Sequence, residues 1–79
     1  MKTLFVNIKC ELGCAYQVAT EIVEIDGVSE VYSISGEYDL LIKCYISAER
    51  DEGRFVIDEI QKIKNIKNTS TIIAFNAFS

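Results

Sequence analysis

Histidine is absent from the chain, and so are proline and tryptophan. The first absence removes the commonest general base and the commonest metal ligand, which weighs against an enzyme. Without proline there is no rigid, proline-rich linker. Cations are few: eight Lys and Arg stand against twelve Asp and Glu, for a net charge of −4. That argues against direct binding of nucleic acid, because holding phosphates takes clustered Lys and Arg. Nowhere is there a run of about 18 apolar residues, so no membrane span is expected. The opening MKTLFVNIK reaches a charge at Lys9 before a signal-peptide core forms. Cysteines number only three, an odd count. They read as reduced thiols in a cytoplasm rather than as a disulfide framework. No glycine-rich loop closes on Gly-Lys-Ser or Gly-Lys-Thr, so no phosphate cradle of that type is expected.

What is present suits one small domain over residues 1–79, with 49% apolar residues to build a core. TLFVNIKC (3–10) alternates Leu4, Val6 and Ile8 with Phe5, Asn7 and Lys9, which is a strand period. CAYQVATEIVEI (14–25) places Ala15, Val18, Ala19, Ile22 and Ile25 on one helical stripe. Gly27 is expected to end that helix in the left-handed C-terminal position. VSEVYSIS (28–35) is rich in β-branched residues and predicts a second strand. DLLIKCYIS (39–47) predicts a third, with Leu40, Ile42, Cys44 and Ile46 on one face. AERDEGRFVIDEIQKIK (48–64) predicts a second helix with Val56, Ile57, Ile60 and Ile63 as its stripe, weakened early by Gly53. NTSTIIAFNAF (68–78) predicts the last strand, apolar at both parities.

The order is strand, helix, strand, strand, helix, strand. It predicts an α+β, ferredoxin-like βαββαβ fold: a four-stranded antiparallel sheet with both helices on one face. The other face would then carry Phe5, Leu41 and Tyr45 among Asn7, Lys9 and Lys43. An apolar patch of that kind usually marks an interface, so dimerisation through the sheet is expected.

Chemistry is sparse. Cys10 and Cys14 form C-x-x-x-C, one residue longer than the C-x-x-C pair that metal carriers of this topology place here, and Lys9 precedes it. Two small, semi-buried thiols and no metal site are expected; Cys44 reads as a core residue. The acids of the second helix mostly fall off its stripe and read as a solvated face. The corner SGEYDLLIK (35–43) is less ordinary, because Tyr38 stands between Glu37 and Asp39 just before a buried strand. Asp39 alone reads as a turn cap. Together with the hydroxyls of Thr69, Ser70 and Thr71 it offers a carboxylate, a phenol and donors, a set suited to a zwitterion such as a free amino acid.

IDGVSEVYSISGEYDLLIKCYI followed by FVIDEIQKIKNIKNTSTIIAF resembles the effector (RAM) domain of the Lrp/AsnC family, the feast/famine regulators. The resemblance covers essentially the whole chain and is most specific at the G-x-Y-D corner. It implies a fold that dimerises through its sheets, with dimers often assembling into octamers of four. It implies an amino-acid effector held at subunit interfaces near the corner, with Gly36, Tyr38 and Asp39 matching the corner and Thr69 and Thr71 the start of the last strand. Full-length members carry an N-terminal helix-turn-helix domain, whereas here Met1 lies almost at the first strand. The resemblance is therefore to the stand-alone form, which does not bind DNA itself and has a full-length Lrp/AsnC regulator as a possible partner. Three other readings stand beside it: an ACT-like regulatory module, a thiol or metal carrier using Cys10 and Cys14, and an enzyme of the dimeric ferredoxin-like barrel type.

Overall fold

In the computed structural model, which describes residues 1–79, β1 (Lys2–Cys10) is the spine of the molecule. It pairs antiparallel with β3 (Leu40–Ile46) on one side and β4 (Ile66–Ala74) on the other. β2 (Val28–Ser33) adds antiparallel to β3, giving the sheet order β2-β3-β1-β4. With α1 (Ala15–Ile22) and a second helix that starts at Glu52, this is the ferredoxin-like α+β fold read from the element order.

Strand alternation decides what is buried. Leu4, Val6 and Ile8 of β1 and Leu40, Ile42 and Cys44 of β3 are all fully buried on one sheet face. Val18 and Ile22 of α1 and Phe55, Val56 and Ile60 of the second helix close over them in a single cluster. Each fully buried aliphatic or aromatic side chain contributes roughly 1.5–3 kcal/mol before chain entropy is counted. Both helices therefore share that face, and the opposite face is left open.

The helices are shorter than their sequence patterns. The first was expected over 14–25 and ends at Ile22; Glu24 and Ile25 then donate to the carbonyls of Glu21 and Ile22, three residues back, in tight turns. Gly27 is thus not the residue that ends the helix. It is a turn residue with φ +100°, and a Cβ there would lie 3.0 Å from the Tyr45 carbonyl oxygen. The second helix was expected over 48–64. Ser47–Arg50 instead forms a hydrogen-bonded turn, and Asp51 caps the helix by accepting the Arg54 N–H at Oδ1, 2.9 Å away. Regular α-helix covers only Glu52–Phe55 (α2) and continues as one π-helical turn over Val56–Ile60. That turn rotates the stripe: Phe55 is fully buried, whereas Ile57 is 51% exposed. β4 spans 66–74 rather than 68–78, and Phe75 and Phe78 lie in water beyond it.

Candidate functional site

The corner between β2 and β3 turns through Gly36, whose φ of +102° favours glycine. Asp39 closes it with three backbone-directed bonds. Its carbonyl accepts from Ile34 N–H at 3.0 Å, and its own N–H donates to the Ile8 carbonyl at 2.9 Å. Its Oδ2 accepts the N–H of Cys10 at 2.7 Å. The reason for the last bond lies in the register. β3 starts at Leu40, opposite Ile8, so β1 runs on past its neighbour. The N–H of Cys10, a buried residue, would otherwise be unpaired on that side, and the carboxylate takes the place of a strand carbonyl. Lys9 Nζ stands 3.9 Å from the same Oδ2. Asp39 Oδ1 accepts nothing within the chain, and the carboxylate is about one-third exposed.

Tyr38 is half-buried and its hydroxyl has no partner in the chain. With Gly36 it lines a depression completed by Lys9, Lys67 and Asn68. Asp39 lines a different depression, with Cys10, Leu12, Gly13 and Tyr16. Thr69 and Thr71 are in neither. Their register partners are Ile8 and Val6, so they point to the helix side of the sheet. There they line a groove against the second helix, where Gln61 Nε2 donates to Thr69 Oγ1 at 2.8 Å. One chain therefore brings Gly36 and Tyr38 together, keeps Asp39 beside them facing another way, and holds Thr69 and Thr71 apart. Lys9, Lys67 and Gln61 were not anticipated. They become visible only once the β1–β4 register fixes the faces of β4.

The open sheet face carries the residues expected of it. Phe5, Leu41 and Tyr45 are joined by Ile72, directly opposite Phe5, and by Tyr32, opposite Leu41. Tyr45 remains 37% exposed and Ile72 53%. A polar cluster sits among them. Lys43 lies 3.6 Å from Glu30 and 5.3 Å from the centre of the Tyr45 ring, and the Tyr32 hydroxyl donates to Glu30. That hydroxyl first, and Lys43 after it, hold the Glu30 carboxyl below its ordinary range.

All three thiols are free. Burial, then Asp39, then Cys14 push the Cys10 thiol up, so it is a poor nucleophile. Burial alone pushes Cys44, a core residue as expected, to about 11. Cys14 Sγ points at the Leu12 carbonyl, 3.6 Å away. No three Cys, Asp or Glu side chains converge as a metal-binding group. No helix is long and apolar enough to cross a membrane.

Comparison with known proteins agrees with this layout. The model of the family described as Lrp/AsnC ligand binding domain matches residues 3–79. An uncharacterized HTH-type transcriptional regulator of Pyrococcus abyssi is 43% identical over 60 residues, 76% of this chain and 40% of the regulator. A homocitrate synthase of Sulfolobus acidocaldarius is 36% identical over 67 residues, 84% of this chain but 14% of the enzyme. This chain thus spans well under half the length of these curated relatives. A solved protein of Thermus thermophilus superposes with a TM-score of 0.92 at 29% identity, covering all of this chain and 99% of that one.

Proposed function

This chain belongs to the Lrp/AsnC ligand-binding domain family, and we propose that residues 1–79 act as one amino-acid-sensing, self-associating domain that carries no chemistry of its own. Two copies meet through the open sheet face of Phe5, Leu41, Tyr45 and Ile72, and such dimers assemble further. The effector is a free amino acid held between subunits. Gly36, Tyr38 and Asp39 of one subunit meet its ammonium end, and Thr69 and Thr71 of another meet its carboxylate. The domain works in the cytoplasm, where Cys10, Cys14 and Cys44 stay reduced, and it influences transcription through a full-length regulator rather than by touching DNA.

The observation that carries this reading is the set of unsatisfied groups. Asp39 Oδ1, the Tyr38 hydroxyl and the Thr71 hydroxyl all lack a partner in the chain, and together they are an acceptor and donors for a zwitterion. The likeness to part of an enzyme as well as to part of a regulator supports a portable regulatory unit rather than a catalytic one. Family membership favours this reading over an ACT-like module, and the raised Cys10 thiol disfavours a thiol carrier.

Calorimetry with the standard amino acids tests it. One of them binds, and Asp39→Asn, which keeps the shape and removes the charge, weakens it. A charge-assisted hydrogen bond is worth roughly 1.5–3 kcal/mol, so affinity falls about 10- to 100-fold. Tyr38→Phe costs less, on the order of 1 kcal/mol. Equal affinity in Asp39→Asn reduces Asp39 to a structural cap.

A further inference from the structure

The open sheet face carries a depression of about 400 Å³ at the corner where β4 ends. Its floor is Thr3 and Phe5 of β1, Tyr45 of β3 and Ala74 of β4. The register places them side by side, with Thr3 opposite both Tyr45 and Ala74. Lys43 stands at one side, its ammonium 5.3 Å from the centre of the Tyr45 ring. Phe75, Asn76 and Ala77 form the rim.

Beside this recess the chain protrudes. Beyond Ala74 it forms neither strand nor turn. Phe75 is 90% exposed and Phe78 97%. The chain has only four phenylalanines, so half of them lie outside a fold that has no use for them. Rings of this size carry a large apolar surface, and burying them is where they contribute most.

Reach connects the rings to a recess on another copy. Residues 75–77 already line the rim, so Phe78 enters its own recess only if the chain doubles back over them. From Ala74, four extended residues reach about 13 Å. Two sheets packed face to face lie about 10 Å apart. A ring at position 78 therefore spans the gap to a facing sheet. A two-fold interface is self-complementary, so what protrudes from one copy meets what is recessed on the other. A patch that bears a recess and a protrusion side by side has that property.

We infer that residues 75–78 form an exchanged arm: Phe78 of each copy seats on Thr3, Phe5 and Tyr45 of a second copy, with Phe75 packed at the joint between the two faces. Lys43, already set over one ring, flanks the incoming one as well. The inference rests on the self-association proposed above and goes beyond it, because pairing of the strands' faces alone leaves both rings in water.

The chain has no tryptophan, so Phe78→Trp carries a single indole whose emission reports its own surroundings. Fluorescence and sedimentation velocity are followed together over a dilution series. Emission is expected to be blue-shifted where the protein is associated, and to move to that of an indole in water as it dissociates. Thr3→Lys, added to Phe78→Trp, puts a charged side chain into the recess and should move the emission toward the water value. Phe78 is almost wholly in water, so Phe78→Ser is expected to fold, which circular dichroism checks. It should weaken the dimer about a hundredfold or more, because each dimer then lacks two buried rings. An associated protein whose indole still emits as in water overturns the arm and leaves self-association standing. Association of Phe78→Ser at wild-type strength does the same. Blue-shifted emission that persists in the monomer puts the ring in its own recess and overturns the exchange. Emission that Thr3→Lys does not move in the associated protein places the ring elsewhere and overturns the seat. A protein that stays monomeric throughout overturns both the arm and the self-association on which it rests.

Discussion

Asp39→Ala in the ligand-free protein separates the structural work of that residue from anything it does for an effector. Its carboxylate accepts the Cys10 N–H at 2.7 Å where β1 overruns β3, and Cys10 is only 4% exposed. Removing the acceptor leaves a buried donor unpaired, which costs about 1–3 kcal/mol, toward the upper end because the acceptor is charged. Lys9, 3.9 Å away and more than a third exposed, adds little. The backbone bonds of Asp39 to Ile34 and Ile8 do not need its side chain and survive. Asp39→Asn keeps an oxygen acceptor, so it should lose less, about 0.5–1.5 kcal/mol. For a domain of this size a loss of 1 kcal/mol lowers Tm by roughly 4–8 °C. Asp39→Ala is therefore expected to lower Tm by roughly 5–20 °C, with Asp39→Asn between it and wild type. Thermal melts at one fixed protein concentration measure this, since self-association would otherwise shift the midpoint. An Asp39→Ala variant as stable as wild type would refute the reasoning, because the Cys10 N–H would then have found another partner.

Three further outcomes are expected. Gly27→Ala places a Cβ 3.0 Å from the Tyr45 carbonyl at φ +100°, and should cost about 1–3 kcal/mol in urea denaturation; a stable variant would mean that the turn relaxes freely. Phe55→Ala empties the centre of the core and should cost about 3–5 kcal/mol, a large share of a small domain's total stability, which the same titration reads. Burial holds the Cys44 thiol neutral, raising it from 9.0 to about 11, so the stability this confers is complete below pH 9 and is lost as pH rises through 11. The gap between wild type and Cys44→Ala should therefore shrink by about 2–3 kcal/mol over that window, and a constant gap would argue against the burial effect.

Strand alternation was legible because its period is strict. Leu4, Val6, Ile8 and Leu40, Ile42, Cys44 could be assigned to the core from spacing alone, and all six are buried. The helix limits were not legible for two physical reasons. Ala48–Arg50 has helix-forming composition, but Asp51 caps later in the chain, so the opening residues of the expected helix form a turn. A π-helical turn has no sequence period of its own, so a stripe counted at 3.6 residues placed Ile57 inside and passed over Phe55. The two faces of β4 were closed to sequence reasoning, because isoleucine occupies both parities at Ile72 and Ile73. Only the register, Phe5 opposite Ile72 and Leu4 opposite Ile73, separates them.

That register also bears on the proposed sensing role. The corner groups open beside the end of β1, whereas Thr69 and Thr71 open toward the second helix, with β1 between β3 and β4. The two sets line different depressions of one chain, so on the proposed reading an amino acid that uses both bridges two chains. A molecule that binds only the assembled form stabilises assembly by its own binding free energy, about 2.7 kcal/mol at a free concentration of 100 Kd. That is about a hundredfold in the association constant. Effector occupancy and oligomer size are then two readings of one equilibrium. On the proposed reading no shape change inside the domain is required: the chain already holds Asp39 Oδ1 and the Thr71 hydroxyl open, and a second chain would bring such groups together.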